Sequence, residues 1–155
     1  MTYDSFVFEN NDGVATIRLN DPERLNALTF KTYGDLEKIF TEIAQDNSVK
    51  VVVLTGTGKG FCSGGRVDDI IGPLLKMKGD ELYKFTRMTC NVVKNMRNLK
   101  KPIIAAVNGI AAGAGAMLML ASDLRIFSDK ARQRNSSKYP RHGSKAVAVN
   151  PPIST

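Results

Sequence analysis

A chain of 155 residues, of which 43% are hydrophobic and 24% charged, has the composition of one globular domain and is not disordered as a whole. The net charge of +7 raises the possibility of nucleic-acid binding, so the location of the basic residues matters. Residues 1–129 carry sixteen basic against fifteen acidic groups, or +1. The excess lies in a tail without acidic residues, on six side chains: Lys130, Arg132, Arg134, Lys138, Arg141 and Lys145. We therefore predict no nucleic-acid partner; the alternative, a basic nucleic-acid binder, rests on the tail alone.

Cysteine usage and the N-terminal residues predict a cytoplasmic protein. Cys62 and Cys90 would allow one disulfide, which is not the framework of an extracellular domain. The first residues lack a positive region followed by an apolar run, so neither a signal nor a transit peptide is predicted. His142 stands alone in the tail, and no spacing of ligands predicts a metal site.

The first predicted elements are a β-hairpin and an amphipathic helix. Apolar strands at 6–8 and 14–19 flank residues 10–13 (NNDG), a turn-forming sequence. Thr29 is the predicted N-cap of a helix that reaches Gln45. Five apolar residues of this helix recur at helical spacing: Tyr33, Leu36, Ile39, Phe40 and Ile43.

The middle of the chain alternates strands and helices. Strands are predicted at 49–54, 103–107 and 123–127. Helices are predicted from Glu81 to Asn98 and from about Gly113. This alternation predicts an α/β fold with parallel strand pairing.

Residues 103–121 contain no charged side chain and raise the alternative of a membrane span, since Gly109 and Gly113 have the spacing of a membrane-helix packing motif. However, Asn108-Gly109 is a turn signal near the middle of the stretch. A buried strand, a turn and a buried helix explain the pattern better, so no membrane partner is predicted.

The tail has a different composition from the body. Residues 132–155 are polar and basic, prolines interrupt them, and no apolar period continues. Such a segment buries too little surface to offset its ordering entropy. We predict a domain over residues 1–131 and a disordered basic tail over residues 132–155.

Two glycine-rich loops, each after a predicted buried strand, are the candidate functional segments: residues 60–65 (GFCSGG) and 108–115 (NGIAAGAG). Small residues let a ligand approach the backbone, and the second loop runs into a helix whose N-terminal N–H groups favour negative charge. Two N–H donors aimed at one point form an oxyanion hole. The alternative is that both loops are only tight turns beneath a packed helix.

Other chemistries have weaker support. Residues 56–60 (GTGKG) follow a strand but fit neither phosphate-loop pattern. Asp68 and Asp69 follow the first loop closely enough to act as bases, or are solvated carboxylates at a helix start. Cys62 has no histidine in the body of the chain to activate it, so we interpret it as a packing residue.

Three segments of residues 5–131 resemble the enoyl-CoA hydratase/isomerase (crotonase) family. Residues 19–28 (LNDPERLNAL) are similar to its acyl-CoA-binding segment, and residues 61–65 (FCSGG) to its first oxyanion loop. Residues 104–124, from IAAVNG through GAG to SDL, are similar to its second loop and following helix.

The resemblance implies acyl-CoA thioester chemistry on a crotonase-like spiral of ββα units. The N–H groups of Gly65 and Ala114 would polarise the thioester carbonyl, although the family usually has glycine at the second position. Coenzyme A would enter as part of the substrate, with no tightly bound cofactor, and a trimer-based homo-oligomer is expected. The residues implied to border the coenzyme A moiety are Arg24, Ala27, Gly65, Val67 and Gly113.

Two departures from the family pattern bear on activity. The two glutamates of family hydratases would fall at Met117 and near Ser137, and Arg66 stands where aspartate is frequent. Asp69 is then the candidate base for another reaction of the family. Family members are also about twice as long, which suggests an altered reading frame near residue 132 or a truncated gene model. The alternative to an enzyme is a truncated, non-catalytic remnant that binds acyl-CoA weakly or acts by subunit association.

Overall fold

The structure is a computed structural model that describes residues 3–129, 131 and 147–149. It opens with the predicted hairpin, formed by β1 (Phe6–Asn11) and β2 (Val14–Leu19). Asp12 and Gly13 both have positive φ, +52° and +86°, which is the requirement of the two-residue turn that matches strand twist. The strand β1 is longer than predicted because the turn needs only these two residues.

A six-stranded sheet forms the centre of the fold. Its remaining strands are β3 (Val51–Gly56), β5 (Ile103–Val107), β7 (Leu124–Phe127) and β8 (Val147–Val149). The strand order is β1-β2-β3-β5-β7-β8, with parallel pairing from β2 to β7 and antiparallel pairing at both edges. The predicted α/β class and parallel core are therefore confirmed.

A second, two-stranded sheet was not predicted. It consists of β4 (Gly60–Cys62) and β6 (Ile110–Ala111), which pair in parallel. Each strand is too short to show a hydrophobic period in the sequence. This small sheet lies within the two glycine-rich loops, so it joins the segments that the sequence singled out.

Helices cover the sheet and connect its strands. The two long ones are α1 (Phe30–Gln45) and α3 (Asp80–Asn98), and the Phe85 ring of α3 contacts the Phe30 and Tyr33 rings of α1. Thr29 caps α1 as predicted, since its hydroxyl accepts the Thr32 N–H at 3.1 Å. The shorter segments are a 3₁₀ turn at Pro22–Arg24, a π-helical turn at Val67–Ile71, α2 (Gly72–Leu74) and α4 (Ala114–Ala121).

The core lies between the sheet and the helices. All five apolar residues predicted for one face of α1 are buried. The strands contribute Ile17, Leu54, Ile103 and Ala105, none of which is more than 1% exposed. Helix α4 is apolar on all sides, and its Leu118 and Met119 are buried. This core holds the ends of β3 and β5, where the two loops begin.

The uncharged stretch at residues 103–121 divides into β5, β6 and α4, in agreement with the prediction of a strand, a turn and a helix. Within the described part of the chain, no helix has the length and apolar character needed to span a membrane. Three residues of the predicted tail form β8 on the open edge of β7. The rest of the tail, including His142, lies outside the described residues, so its predicted disorder stays a prediction.

Candidate active site

The first glycine-rich loop is held against the segment that precedes α1. The Leu28 N–H donates to the Gly64 carbonyl at 2.7 Å, and the Arg66 N–H donates to the Leu28 carbonyl at 2.8 Å. These bonds form a parallel bridge between Leu28 and Gly65 in which the Gly65 N–H takes no part. Gly64 has φ +112°, a conformation that disfavours a side chain, so glycine is required at this bend.

The second loop is held by the first. The Ala112 N–H donates to the Cys62 carbonyl at 3.0 Å. Gly115, in the first turn of α4, lies so close to β4 that a Cβ there would be 2.1 Å from the Cys62 oxygen. Glycine at this position therefore allows the start of α4 to contact the strand directly.

The two loops meet at Gly64. A Cβ built on Gly64 would lie 3.2 Å from the Ala112 oxygen and 3.7 Å from the Ala114 nitrogen. Gly65 and Ala114 are both half-buried. Within residues 3–129, neither the Gly65 N–H nor the Ala114 N–H donates to a protein acceptor. Two donors on adjoining loops are thus left for a ligand or for water.

Alanine is compatible with the donor position on the second loop. The N-cap of α4 is Gly113, with φ +51°, and Ala114 is the first helical residue. Among the described residues, the non-glycine residues with positive φ are Asp12, Leu25 and Asn26. Because Ala114 does not share that conformation, its methyl group introduces no backbone strain and its N–H is retained.

The predicted coenzyme A segment lies beside the first loop. The Ser63 N–H donates to the Leu25 carbonyl at 2.9 Å, and the Ser63 hydroxyl donates to the Arg24 carbonyl at 3.1 Å. Ala27 lines a cleft of about 240 Å³. Val67 is 66% exposed, and a Cβ on Gly113 would lie 3.6 Å from the Gly64 Cα. The structure therefore places Arg24 and Gly113 against the first loop, whereas Ala27 lines a separate cleft and Val67 is exposed just after the loop.

Arg66 joins these segments through ion pairs. Its guanidinium contacts the Asp69 carboxylate at 2.6 Å and the Asp21 carboxylate at 2.9 Å. The hydrogen bond to Asp69 is the main cause that raises the pKa of Arg66 above its ordinary value. Asp69, the candidate base, is consequently an ion-paired carboxylate, whereas Asp68 is exposed.

Met117 and Cys62, the remaining candidates that the structure describes, are not suited to proton transfer. Met117 is half-buried and packs against the core from α4. Cys62 is buried, and burial raises the pKa of its thiol to about 11, which suits a packing residue better than a nucleophile. Both cysteines are free thiols. Ser137 lies outside the described residues, and within the described part no cluster of side chains has the composition of a metal site.

Clefts elsewhere on the surface do not include the two donors. Four clefts of about 240 to 460 Å³ open on the described part of the chain, and neither Gly65 nor Ala114 lines them. The 420 Å³ cleft is lined by Phe30, Phe85 and Met88 between α1 and α3.

The sequence did not single out Asn26 or Asn108 as site residues. Both side chains donate hydrogen bonds to the Gly60 carbonyl, at 2.8 and 3.0 Å. Asn108 was predicted as part of a turn and of the second glycine-rich loop, and Asn26 as part of the coenzyme A segment, but neither side chain was given a role. An asparagine in a segment without regular structure is a weak signal in one sequence, because the shared partner lies 34 residues from Asn26 and 48 from Asn108.

The sequence model of the enoyl-CoA hydratase/isomerase family matches residues 9–146 of this chain. The match extends beyond residue 131, so the predicted domain boundary stays a prediction. A probable enoyl-CoA hydratase of Mycobacterium bovis is 39% identical over 127 residues, which cover 76% of this chain and 42% of the relative. A 1,2-epoxyphenylacetyl-CoA isomerase of Escherichia coli is 36% identical over 126 residues, 77% of this chain and 46% of the relative.

Solved structures of enoyl-CoA hydratases also superpose on this chain. A proposed enoyl-CoA hydratase from Streptomyces coelicolor superposes with a TM-score of 0.81 and 46% identity over 84% of this chain and 47% of that one. An enoyl-CoA hydratase from Bacillus anthracis gives a TM-score of 0.74 and 31% identity, over 83% and 49%. The chain therefore spans about half the length of the relatives that it matches.

Proposed function

Because this chain belongs to the enoyl-CoA hydratase/isomerase family, we propose that it binds an acyl-CoA thioester and holds its enolate between the N–H groups of Gly65 and Ala114. The observation that carries the proposal is the contact of the two loops at Gly64, beside two N–H groups without a protein acceptor in residues 3–129. A thioester carbonyl gains negative charge when its α-carbon loses a proton. Fixed N–H donors stabilise that charge without reorganising.

The position of Ala114 strengthens its donor. Ala114 is the first residue of α4, and the N-terminus of a helix favours negative charge through the aligned peptide dipoles. Gly65 contributes the second donor from a segment fixed on both sides by the Leu28 hydrogen bonds. Donors that are fixed before the substrate arrives are worth more to the transition state than mobile ones.

We assign proton transfer to Asp69. The coenzyme A moiety of the substrate would border Arg24, Ala27, Val67 and Gly113. Asp69 is the half-buried carboxylate nearest in sequence to the first loop. Its carboxylate lies 2.6 Å from the Arg66 guanidinium, which holds it beside the first loop, and a positioned carboxylate is a usual general base. Met117 carries no proton, so the proposal favours isomerisation or hydrolysis over paired acid–base hydration. A trimer-based homo-oligomer is part of the same proposal.

Removing one donor tests the oxyanion hole. Proline is tolerated at the first position of a helix, so Ala114→Pro deletes the N–H with little change to α4. Losing one such donor lowers kcat by about 10²–10³. The measurement is acyl-CoA turnover in the two favoured reactions: release of the coenzyme A thiol for hydrolysis, and growth of enone absorbance from a 3-enoyl-CoA for isomerisation.

Asp80→Pro is the matched control, because α3 also begins after a glycine N-cap of similar conformation. Gly79 has φ +48° and ψ −108°, and Gly113 has φ +51° and ψ −121°. The control should retain wild-type turnover. Equal losses in both variants, or turnover unchanged in Ala114→Pro, would contradict the proposed hole.

A second candidate function is a non-catalytic acyl-CoA-binding or subunit-association role. It is favoured by Met117 at the position of the first family glutamate, and by the exposure of Leu120 and Ile126, 59% and 41%. Large exposed apolar side chains are frequent at association surfaces. This function predicts thermal stabilisation by an acyl-CoA without turnover, about 2.7 kcal/mol at one hundred times Kd. Size-exclusion chromatography would then report the assembly state.

A further inference from the structure

Three segments of the site meet at one main-chain oxygen, the carbonyl of Gly60. The Asn26 amide donates to it at 2.8 Å from the coenzyme A segment. The Asn108 amide donates to it at 3.0 Å from the start of the second loop. Gly60 itself is the first residue of the first loop. One acceptor therefore fixes the relative position of all three segments.

Each asparagine makes further bonds that leave its amide little freedom. The Asn26 amide also donates to the Thr57 carbonyl at 3.0 Å, and its oxygen accepts the Asp21 N–H at 2.9 Å. The Asn108 amide donates to the Gly58 carbonyl at 3.0 Å, and its oxygen accepts the Gly56 N–H at 3.2 Å. Asn26 is 2% exposed, so water does not compete for the bonds that this side chain makes.

The backbone around Gly60 is packed closely. A Cβ on Gly109 would lie 1.9 Å from the Lys59 oxygen, and one on Gly60 would lie 3.1 Å from the Leu25 Cβ. Backbone segments that leave no room for a Cβ transmit displacement to each other, because protein interiors are as dense as organic crystals. A shift of Gly60 therefore moves the first loop, the second loop and the Leu25 segment together.

We infer that Asn26 and Asn108 are positioning residues that set the Gly65 and Ala114 N–H groups relative to each other through the shared Gly60 carbonyl. The inference rests on the proposed function, since it concerns the same pair of donors. Neither asparagine touches the donors or the position of the substrate carbonyl. Misplacing a catalytic group by 1 Å costs on the order of 10²-fold in rate, so small shifts at Gly60 are sufficient.

The test replaces each asparagine by aspartate, in Asn26→Asp and Asn108→Asp. Aspartate keeps the size and the accepting oxygen but loses both amide donors and places a carboxylate against carbonyl oxygens. The control is Asn95→Asp, because the Asn95 amide also donates two hydrogen bonds, to the Glu37 carbonyl and the Thr41 hydroxyl, both at 3.1 Å. That site joins α3 to α1 rather than the loops.

The first readout is the amide resonances of the uncomplexed protein. Asn108→Asp should move the Gly65 resonance, which belongs to the other loop, and Asn26→Asp should move that of Ala114. Asn95→Asp should move neither. Unchanged Gly65 and Ala114 resonances in the test variants would overturn the inference. If Asn26→Asp fails to fold, the Gly65 resonance in Asn108→Asp decides alone.

The second readout is the absorbance of bound cinnamoyl-CoA, which moves to longer wavelength when its thioester carbonyl is polarised. Each test variant should lose this shift while Kd changes less than about threefold, as expected when geometry rather than binding is altered. A proportional loss of affinity would instead assign the asparagines a binding role and overturn positioning. A wild type that never binds the probe contradicts the proposed function, and the resonances still decide the inference.

Discussion

The two loops that meet at Gly64 are held in different ways. The first is held largely by polar contacts: main-chain bonds to Leu28, the Ser63 bonds to residues 24 and 25, and the Arg66 ion pairs. The second has hydrogen bonds from Ala112 and Asn108 as well, but it also depends on close packing, since Gly109 lies against Lys59 and Gly115 against Cys62. Polar contacts respond gradually to salt, pH and conservative substitution, whereas close packing fails with the addition of one methyl group. The loops should therefore differ in how they tolerate change.

Gly115→Ala should have the largest effect. A Cβ at this position would lie 2.1 Å from the Cys62 oxygen and 2.7 Å from its Cβ, so α4 must move. Overpacking of this kind destabilises a protein by about 3 kcal/mol. Urea denaturation measures the change. Gly34→Ala in α1 is the control, because nothing lies within 4 Å of its Cβ, and it should raise the free energy of unfolding by about 0.5–1 kcal/mol. Similar values for the two variants would contradict steric control of the second loop.

Cys62 belongs to the first loop and contacts the second at Ala112 and Gly115. Burial of its thiol predicts that the free energy of unfolding depends on pH. Because the pKa of the folded thiol is raised from 9.0 to about 11, the folded state keeps a proton that the unfolded chain has lost in this interval. The free energy of unfolding should fall by about 2–3 kcal/mol as pH rises from about 9 to 11. This contribution is fully present below pH 9 and absent in Cys62→Ala. Parallel stability curves for the two proteins would contradict it.

Arg66→Met should have a smaller effect on the first loop. It leaves Asp21 and Asp69 without their shared cation, but all three side chains are partly exposed, so screening limits the cost to about 1 kcal/mol. Arg66→Lys keeps the positive charge and should recover part of that loss. Recovery should be incomplete, because one ammonium group cannot reach both carboxylates as a planar guanidinium does. The difference between wild type and Arg66→Met should shrink in high salt. A loss that salt leaves unchanged would assign Arg66 a packing role.

Ser63→Ala should have the smallest effect. Its hydroxyl donates one exposed hydrogen bond to the Arg24 carbonyl, worth about 0.5 kcal/mol. The Ser63 N–H bond to Leu25 remains in the variant. Thermal unfolding should therefore change little, and the first loop should keep its position. A loss comparable with that of Gly115→Ala would show that the first loop is as intolerant as the second.

Much of the fold followed from local pattern in the sequence. Apolar segments around a turn-forming sequence predicted the hairpin, and apolar residues at helical spacing predicted the buried face of α1. Thr29 marked the start of that helix. These features depend on neighbours within a few residues. The glycine-rich loops were visible for the same reason. The pairing of β4 with β6 was not, since each strand has three residues or fewer and its partner is about fifty residues away.

The sequence by itself determined the α/β class, the order of the main elements and the two segments that carry the candidate donors. Only the tertiary structure decided that Gly64 contacts Ala112 and Ala114, that Arg66 joins Asp21 to Asp69, and that Asn26 and Asn108 share one carbonyl. The physical reason is distance along the chain. Periodicity reports which face of an element is buried, but a hydrogen bond between residues 48 positions apart leaves no periodic signal.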